Sequence, residues 1–305
     1  DYVARFSGGS NAGHTIYKDG KKYKTNLIPS GIFYDIKSII GPDCIVNKDE
    51  FQKELDYLSK HGFDTSLIKI SPKTHVITTE HIKEDNSTLK KTQGSTGKGI
   101  AQCYSDKYKR VGSRVGDEAN IDFFRDYLWN GHLSGNVLCE GAQGIWLDIN
   151  YGNYPFVTSS CTFPYHACSL GFSPKKINKI YGACKIYDTR VGIDPLFYED
   201  LLEDEELKKI GIEGNEYGVT TGRKRKVNWL NLNKLIESIN ISGCSDIIMS
   251  KVDILEKCEL YKLYFDSKLF SFNSIDEMKQ FILNKIEIKC ELYETLTFSS
   301  SPETI

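Results

Sequence analysis

Asp246-Ile247-Ile248-Met249-Ser250-Lys251-Val252-Asp253 decides how the rest of the chain is read. A short apolar run closed by a hydroxyl and two charged residues predicts a central strand over Asp246–Ser250, with polar chemistry at its carboxyl end. Before it, residues 229–241 read as a helix with Leu232, Leu235, Ile236 and Ile239 on one side. After it, residues 257–265 read as an outer strand, and Ser274 with Glu277 forms a capping box for a helix through Asn284. The same alternation extends toward the start. Residues 176–186 contain a strand, and Asn136-Val137-Leu138-Cys139-Glu140-Gly141 reads as a buried strand ending at a glycine, preceded by a helix over 121–128. Residues 67–70 and 74–79 read as strands and 80–90 as a polar helix. Ser38-Ile39-Ile40-Gly41 is a strand end, followed by a helix over 48–61 with Phe51, Leu55 and Leu58 on one face. Strands alternating with helices predict an α/β fold: a single domain around a large, mostly parallel central sheet, flanked by helices and small subsidiary strands. No internal repeat or low-complexity linker marks a boundary, so residues 1–305 are taken as one domain.

Composition excludes several classes. The 305 residues are 40% apolar and 26% charged, which is ordinary for a globular chain and foreign to a disordered or fibrous one. Thirty-nine basic against 41 acidic residues leave a net charge of −2, which argues against nucleic acid as a partner. No window approaches ~18 uninterrupted apolar residues, so no membrane span is expected. The nine cysteines contain no C-x-x-C pair and sit mostly in apolar runs, which predicts buried thiols in a reducing, cytoplasmic compartment. Cys161, His166 and Cys168 lie close together but lack a second ligand pair, so no zinc site is expected.

Five glycine-rich turns carry the candidate chemistry. In Gly8-Gly9-Ser10-Asn11-Ala12-Gly13-His14-Thr15 the glycines admit a ligand close to the backbone while Asn11, His14 and Thr15 supply polar groups. Gln93-Gly94-Ser95-Thr96-Gly97-Lys98-Gly99 misses the Walker spacing, yet its hydroxyls and amides suit a monophosphate; the alternative is a plain turn. Glu140-Gly141-Ala142-Gln143-Gly144 follows a strand, where α/β folds bind ligands, placing Gln143 to read a base or amide. Tyr154-Pro155-Phe156-Val157-Thr158-Ser159-Ser160 is an aromatic and hydroxyl turn. Gly218-Val219-Thr220-Thr221-Gly222-Arg223-Lys224-Arg225-Lys226 holds four consecutive cations, either a solvated basic patch or, given Trp229-Leu230 behind it, an anchored site for carboxylates and phosphates. Last, a strand ending in Ser250-Lys251-Val252-Asp253 has the [NST]-K-x-D form with which GTP-binding folds read guanine, the Asp accepting from the ring N–H and exocyclic amine.

In this order, these segments, with Leu27-Ile28-Pro29-Ser30-Gly31, Ser113-Arg114-Val115-Gly116-Asp117 and Thr189-Arg190-Val191-Gly192, resemble the adenylosuccinate synthetase family. The resemblance implies a P-loop-NTPase-like GTP-binding synthetase fold and a ligase of purine (AMP) biosynthesis joining IMP and L-aspartate with GTP and Mg²⁺. It implies that His14 stabilises charge during phosphoryl transfer and that the Gly13 carbonyl holds Mg²⁺. Asn11, Ala12, Gly13, Ser95, Thr96, Arg114, Gln143, Thr158 and Arg223 match IMP-binding positions, Arg114 reaching the neighbouring site of a homodimer. Val219, Thr220, Thr221, Gly222 and Arg223 match the aspartate loop. Gly13, His14, Thr15, Arg225, Lys251, Val252, Asp253, Ser299, Ser300 and Ser301 match GTP-binding positions.

Three departures accompany the match. The chain opens Asp1-Tyr2-Val3-Ala4-Arg5-Phe6, inside what reads as a strand, and the family's preceding loop G-Q-W-G-D-E-G-K-G-K, with its aspartate base, does not occur in it. The expectation is therefore a compact, N-terminally truncated and inactive fragment. The stretch between Asp117 and Glu140 and the tail after Leu292 are short for bacterial members, nearer the compact archaeal type. Cys161-Thr162-Phe163-Pro164-Tyr165-His166 stands where the family has small residues, and is similar to the phage 2-aminoadenylosuccinate synthetase that uses dGMP. That phage-type ligase is the first alternative; a non-catalytic nucleotide- or nucleic-acid-binding protein is the second.

Overall fold

A computed structural model describes residues 1–194, 197, 199–218 and 222–300. Two compact units emerge, one over residues 1–176 and one from residue 177 onward. Both are built from strands and helices in alternation, and the fold is α/β with parallel sheet at its centre.

The first unit contains β1 (Tyr2–Arg5), β2 (His14–Lys18), β3 (Lys21–Thr25), β4 (Lys37–Ile40), β5 (Ile45–Val46), β6 (Ile68–Ile70), β7 (His75–Val76) and β8 (Val137–Glu140). Its helices are α1 (Lys48–Lys60), α2 (Thr79–Ser87), α3 (Leu89–Thr92), α4 (Ile100–Lys109) and α5 (Glu118–Phe124). The main sheet has the order β6-β4-β1-β8 and is parallel throughout. A parallel pair needs a crossover, and α1 supplies the one between β4 and β6. Asn47 starts α1 by accepting from the Glu50 amide at 2.9 Å. Phe51, Leu55 and Leu58 then enter the same core as Ile40, Ile68 and Ile70, each worth roughly 1.5–3 kcal/mol of burial.

Four readings are corrected here. β8 is not buried: it forms the sheet edge, and Leu138 is 54% exposed. The polar helix over 80–90 is two helices, broken where Thr88 leaves helical geometry at φ −117 and ψ −90. Residues 74–79 supply only a two-residue strand, because Thr78 caps α2, accepting from the His81 amide while the His81 ring accepts from the Thr78 amide. The helix expected over 121–128 starts earlier, at Glu118, and gives way to a tighter turn after Phe124.

The second unit contains β9 (Tyr181–Lys185), β10 (Tyr187–Arg190), α6 (Glu205–Glu213), β11 (Lys226–Asn231), α7 (Leu232–Ser242) and β12 (Asp246–Ser250). It continues through α8 (Val252–Cys258), β13 (Lys262–Phe265), β14 (Lys268–Ser271), α9 (Ile275–Lys289) and β15 (Thr295–Phe298). β12 is central, parallel to β15 on one side and β9 on the other. A second, mixed sheet has the order β10-β11-β13-β14. Trp229 belongs to β11 rather than to a helix, because Asn231 accepts from the Lys234 amide and so sets the start of α7 at Leu232. Lys257 is helical, and β13 is an interior strand between β11 and β14, not an outer one. Ser274 caps α9, but Glu277 accepts from Asn273 instead of closing the box, and the helix runs on to Lys289. Among the described residues no helix is long and apolar enough to cross a membrane, and no cluster of metal-ligating side chains occurs.

Candidate functional site

In the first unit, β1 and β8 lie side by side with Arg5 opposite Glu140, so the turns that follow them emerge together. Gly8 takes φ +83, and a Cβ there would meet the Ala142 Cβ at 2.9 Å and Gln143 Oε1 at 3.4 Å. Only glycine allows this approach. Gln143 itself is left-handed at φ +60, an uncommon state for a residue with a side chain. Its Oε1 lies 3.5 Å from Ser160 Oγ, which in turn lies 3.3 Å from Thr158 Oγ1. The buried Asp148 carboxylate holds this second turn, accepting from the Asn150 and Thr162 amides at 2.9 Å each. Gln143 and Thr158, chosen from separate segments, therefore belong to one surface.

Asn11, Ala12 and Gly13 lie on the loop between β1 and β2. Asn11 Oδ1 accepts from the Gly9 amide at 3.3 Å, and Asn26 Nδ2 donates to the Ser10 and Ala12 carbonyls at 3.3 and 2.8 Å. Gly13 is exposed, and no hydrogen bond among the described residues uses its carbonyl. His14 and Thr15 begin β2. Burial, then the Arg5 charge, lowers the His14 ring to about 3, so it is neutral near pH 7. Arg5 is the residue that sequence reading missed. Its guanidinium is fully buried; among the described residues Nη2 donates to the Asn26 carbonyl at 3.2 Å, while Nε and Nη1 have no hydrogen-bond partner. Glu54 beneath the loop accepts from the Asn26, Leu27 and Ile28 amides, and Glu140 accepts from Ser30.

The loop over residues 94–99 is held from inside. Ser95 donates to Asp85, whose other oxygen accepts from the Gly99 amide at 2.9 Å; Ser95 Oγ accepts from Gly97. Thr96 is half-buried beside it. Arg114 is 52% exposed, with Nε 3.6 Å from Asp117. Of the predicted positions, Val219, Thr220, Thr221 and Ser301 lie outside the described residues.

In the second unit, the carboxyl ends of β12 and β15 converge. The Ser299 amide donates to the Met249 carbonyl at 2.8 Å, and the Val252 amide to the Ser299 carbonyl at 3.4 Å. Lys251 is left-handed at φ +69, and its ammonium reaches the Gly214 carbonyl at 3.0 Å. Asp253 follows in the first turn of α8 and makes a 3.3 Å pair with the exposed Lys257. Lys251, Val252, Asp253, Ser299 and Ser300 thus share one corner.

Of the two readings left open for the basic run, anchoring holds for Arg225 and Lys226, while Lys224 is exposed. Arg225 Nη1 lies 3.3 Å from the buried Glu216, and Lys226 donates to the Phe197 carbonyl at 2.9 Å. Glu216 also takes Lys185 at 2.7 Å and the Tyr187 hydroxyl at 2.8 Å. Burial lowers Lys185 to about 8 against the pull of Glu216, with Arg225 and Lys251 lowering it further. This Glu216 cluster carried no motif. Arg223 is half-buried and Gly222 exposed, at the start of the same run.

A family model described as adenylosuccinate synthetase matches residues 1–132 and 124–269. The adenylosuccinate synthetase of Streptococcus sanguinis is 36% identical over 317 residues, covering 86% of this chain and 73% of its own length. That of Christiangramia forsetii is 37% identical over 318 residues, covering 86% and 75%. Among solved structures, fully ligated adenylosuccinate synthetase from Plasmodium falciparum superposes with a TM-score of 0.78 at 28% identity, covering 92% of this chain and 80% of that one. Cyanophage S-2L succinoaminodeoxyadenylate synthetase, bound to dGMP and dATP, gives 0.67 at 19% identity over 93% and 90%, a likeness of fold.

Proposed function

The chain belongs to the adenylosuccinate synthetase family of ligases, and from that membership we propose that it serves the GTP-dependent joining of L-aspartate to IMP. In this reaction the γ-phosphoryl group of GTP moves to O6 of IMP, and the aspartate amine then displaces phosphate from C6, giving adenylosuccinate, GDP and phosphate. The observation that carries the reading is the corner formed by Lys251, Val252, Asp253 and Ser299. A carboxylate there accepts from the two donors that guanine presents and adenine lacks, while the Lys251 stem covers the purine face.

The other residues take roles that suit their surroundings. Gln143 and Thr158, one surface in the first unit, read the IMP base and sugar, with Asn11, Ala12 and Gly13 beside them. Ser95 and Thr96 border the IMP phosphate. The neutral His14 ring donates an N–H to phosphate oxygen, and Thr15 lies next to it. Arg225, oriented by Glu216, faces GTP, and Arg223 with Gly222 and residues 219–221 takes the aspartate carboxylates. Loose phosphoryl transfer needs positioning and positive charge, which this set supplies. The exposed Gly13 carbonyl is a hard oxygen that would serve as one ligand of Mg²⁺, whose charge would offset that of the phosphates. The exposure of Arg114 suits a reach into the partner's site in a homodimer.

Calorimetry with GTP, ATP, IMP and dGMP tests the reading. GTP and IMP binding, with ATP at least about tenfold weaker, is the expected result. Preference for dGMP with an adenine nucleotide replaces it by the phage-type reaction.

A further inference from the structure

One buried hydroxyl joins the loop over residues 94–99 to the turn after β1. Gly99 closes that loop and α4 begins at Ile100, so Tyr104 stands one helical turn in, on the same face as Ile100. Its Oη accepts from the Gly8 amide at 3.1 Å and donates to the Asp43 carbonyl at 2.7 Å. Tyr104 is 4% exposed, and burial holds the phenol well above its ordinary range, so the hydroxyl keeps the proton it gives to Asp43.

Gly8 is enclosed on its other sides as well. Its carbonyl accepts from the Ile45 amide at 3.0 Å, and Ala142 and Gln143 close the space where a side chain would stand. A Cβ on Gly9 would lie 2.9 Å from Ile45 Cγ1 and 3.1 Å from Ile100 Cδ1, so this glycine pair rests on the face of α4 that carries Tyr104. Ile45, Ile100 and Tyr104 belong to one apolar cluster. Asp43 is itself held in place: Lys107, further along α4, pairs with its carboxylate, and His166 Nε2 lies 2.8 Å from its Oδ2. The Tyr104 hydroxyl therefore bonds to a fixed point on one side and to Gly8 on the other. Gln143 lies against Gly8, and Ser95 and Thr96 lie just ahead of α4.

We propose that Tyr104 is a positioning residue whose hydroxyl sets the spacing between Gln143 and the Ser95–Thr96 loop. The inference rests on the reading of these two as contacts to the base and the phosphate of IMP. A ligand held at both ends gains over either end alone only when the two sites are spaced to fit it. Removing the oxygen leaves a buried N–H and a buried carbonyl without their partner, and frees the Gly8 turn to move off α4. Tyr104 is enclosed by protein and acts on a ligand through Gly8 and Gln143.

The test is Tyr104→Phe in the intact chain, with calorimetry of IMP and of inosine, the same base and sugar without phosphate. IMP binding is expected to weaken at least about tenfold and inosine binding to stay nearly unchanged, because only the two-ended ligand senses the spacing. Equal losses for both, or none for IMP, overturn the proposal. Amide hydrogen exchange without any ligand keeps this apart from the ligase reading. In Tyr104→Phe the Gly8 amide should exchange faster by at least about tenfold more than the amides of α1. Acceleration no greater than that of α1 marks a general loss of stability and overturns the role of the hydroxyl. A parent chain that binds no IMP, with the Gly8 amide responding as expected, overturns the ligase reading and supports Tyr104 as the tie between the two loops.

Discussion

Glu140, the last residue of β8, accepts a hydrogen bond from the Ser30 amide at 3.0 Å and another from the Ser30 hydroxyl, across 110 residues of sequence. The contact ties the Leu27-Ile28-Pro29-Ser30-Gly31 segment to the turn that presents Gln143. It also places a carboxylate near the buried Arg5 guanidinium, which has few hydrogen-bond partners among the described residues. Glu140→Ala is therefore expected to cost about 1.5–3 kcal/mol, the range for a hydrogen bond to a charged group. Urea denaturation measures it, and an unchanged midpoint at unchanged slope refutes the role.

His14 gives the stability a definite pH dependence. In the folded chain its ring titrates at about 3, against an ordinary 6.5, because of burial and the Arg5 charge. Between those values the unfolded chain binds the proton and the folded chain does not. The contribution is whole above pH 6.5 and is lost as pH falls toward 3. His14→Gln should flatten this part of the profile relative to the parent; parallel profiles of urea midpoint against pH would show that His14 is not the titrating group.

Asp253 discriminates bases if the proposed reaction is right. Asp253→Asn exchanges an acceptor-only carboxylate for an amide that turns a donor toward guanine. GTP binding should weaken at least about tenfold, with ATP binding nearly unchanged. Equal losses for both nucleotides, read by calorimetry, would remove Asp253 from base recognition.

Gly99 is held at φ +74, and a Cβ there would lie 2.9 Å from the backbone of His81 and Ile82 in α2. Backbone atoms cannot move aside as a flexible side chain does. Gly99→Ala should destabilise by more than about 1 kcal/mol, combining left-handed strain with the clash. Thermal unfolding of the variant at the parent's midpoint would count against this.

Local signals were readable where neighbours in sequence decide the outcome. The apolar run of β12 and its polar end needed no distant partner, and Asn47 announces α1 by its own side chain. Trp229 was misplaced because residues around it satisfy both strand and helix periods; the capping side chain of Asn231 is the signal that separates them. Leu138 looked buried because apolar content does not say which strand ends up at an edge, and that depends on β1 alone covering one side of β8. Gln143 was singled out as a polar group after a strand and Thr158 through the family resemblance; their meeting through Ser160 is tertiary. Nothing local marks Arg5 for complete burial, or Asp43 and His166 as a pair.

The pairing of β1 with β8 joins Tyr2 to Val137 and Arg5 to Glu140. A ribosome delivering this chain releases β1 long before its second neighbour exists, so one flank of that strand waits unpaired through most of the first unit's synthesis. An open parallel flank is a template for foreign strands as well as for the right one. Slow translation or crowding of nascent chains should therefore expose this protein to misassembly at β1, a hazard that ends only when residues 137–140 arrive and close the ladder.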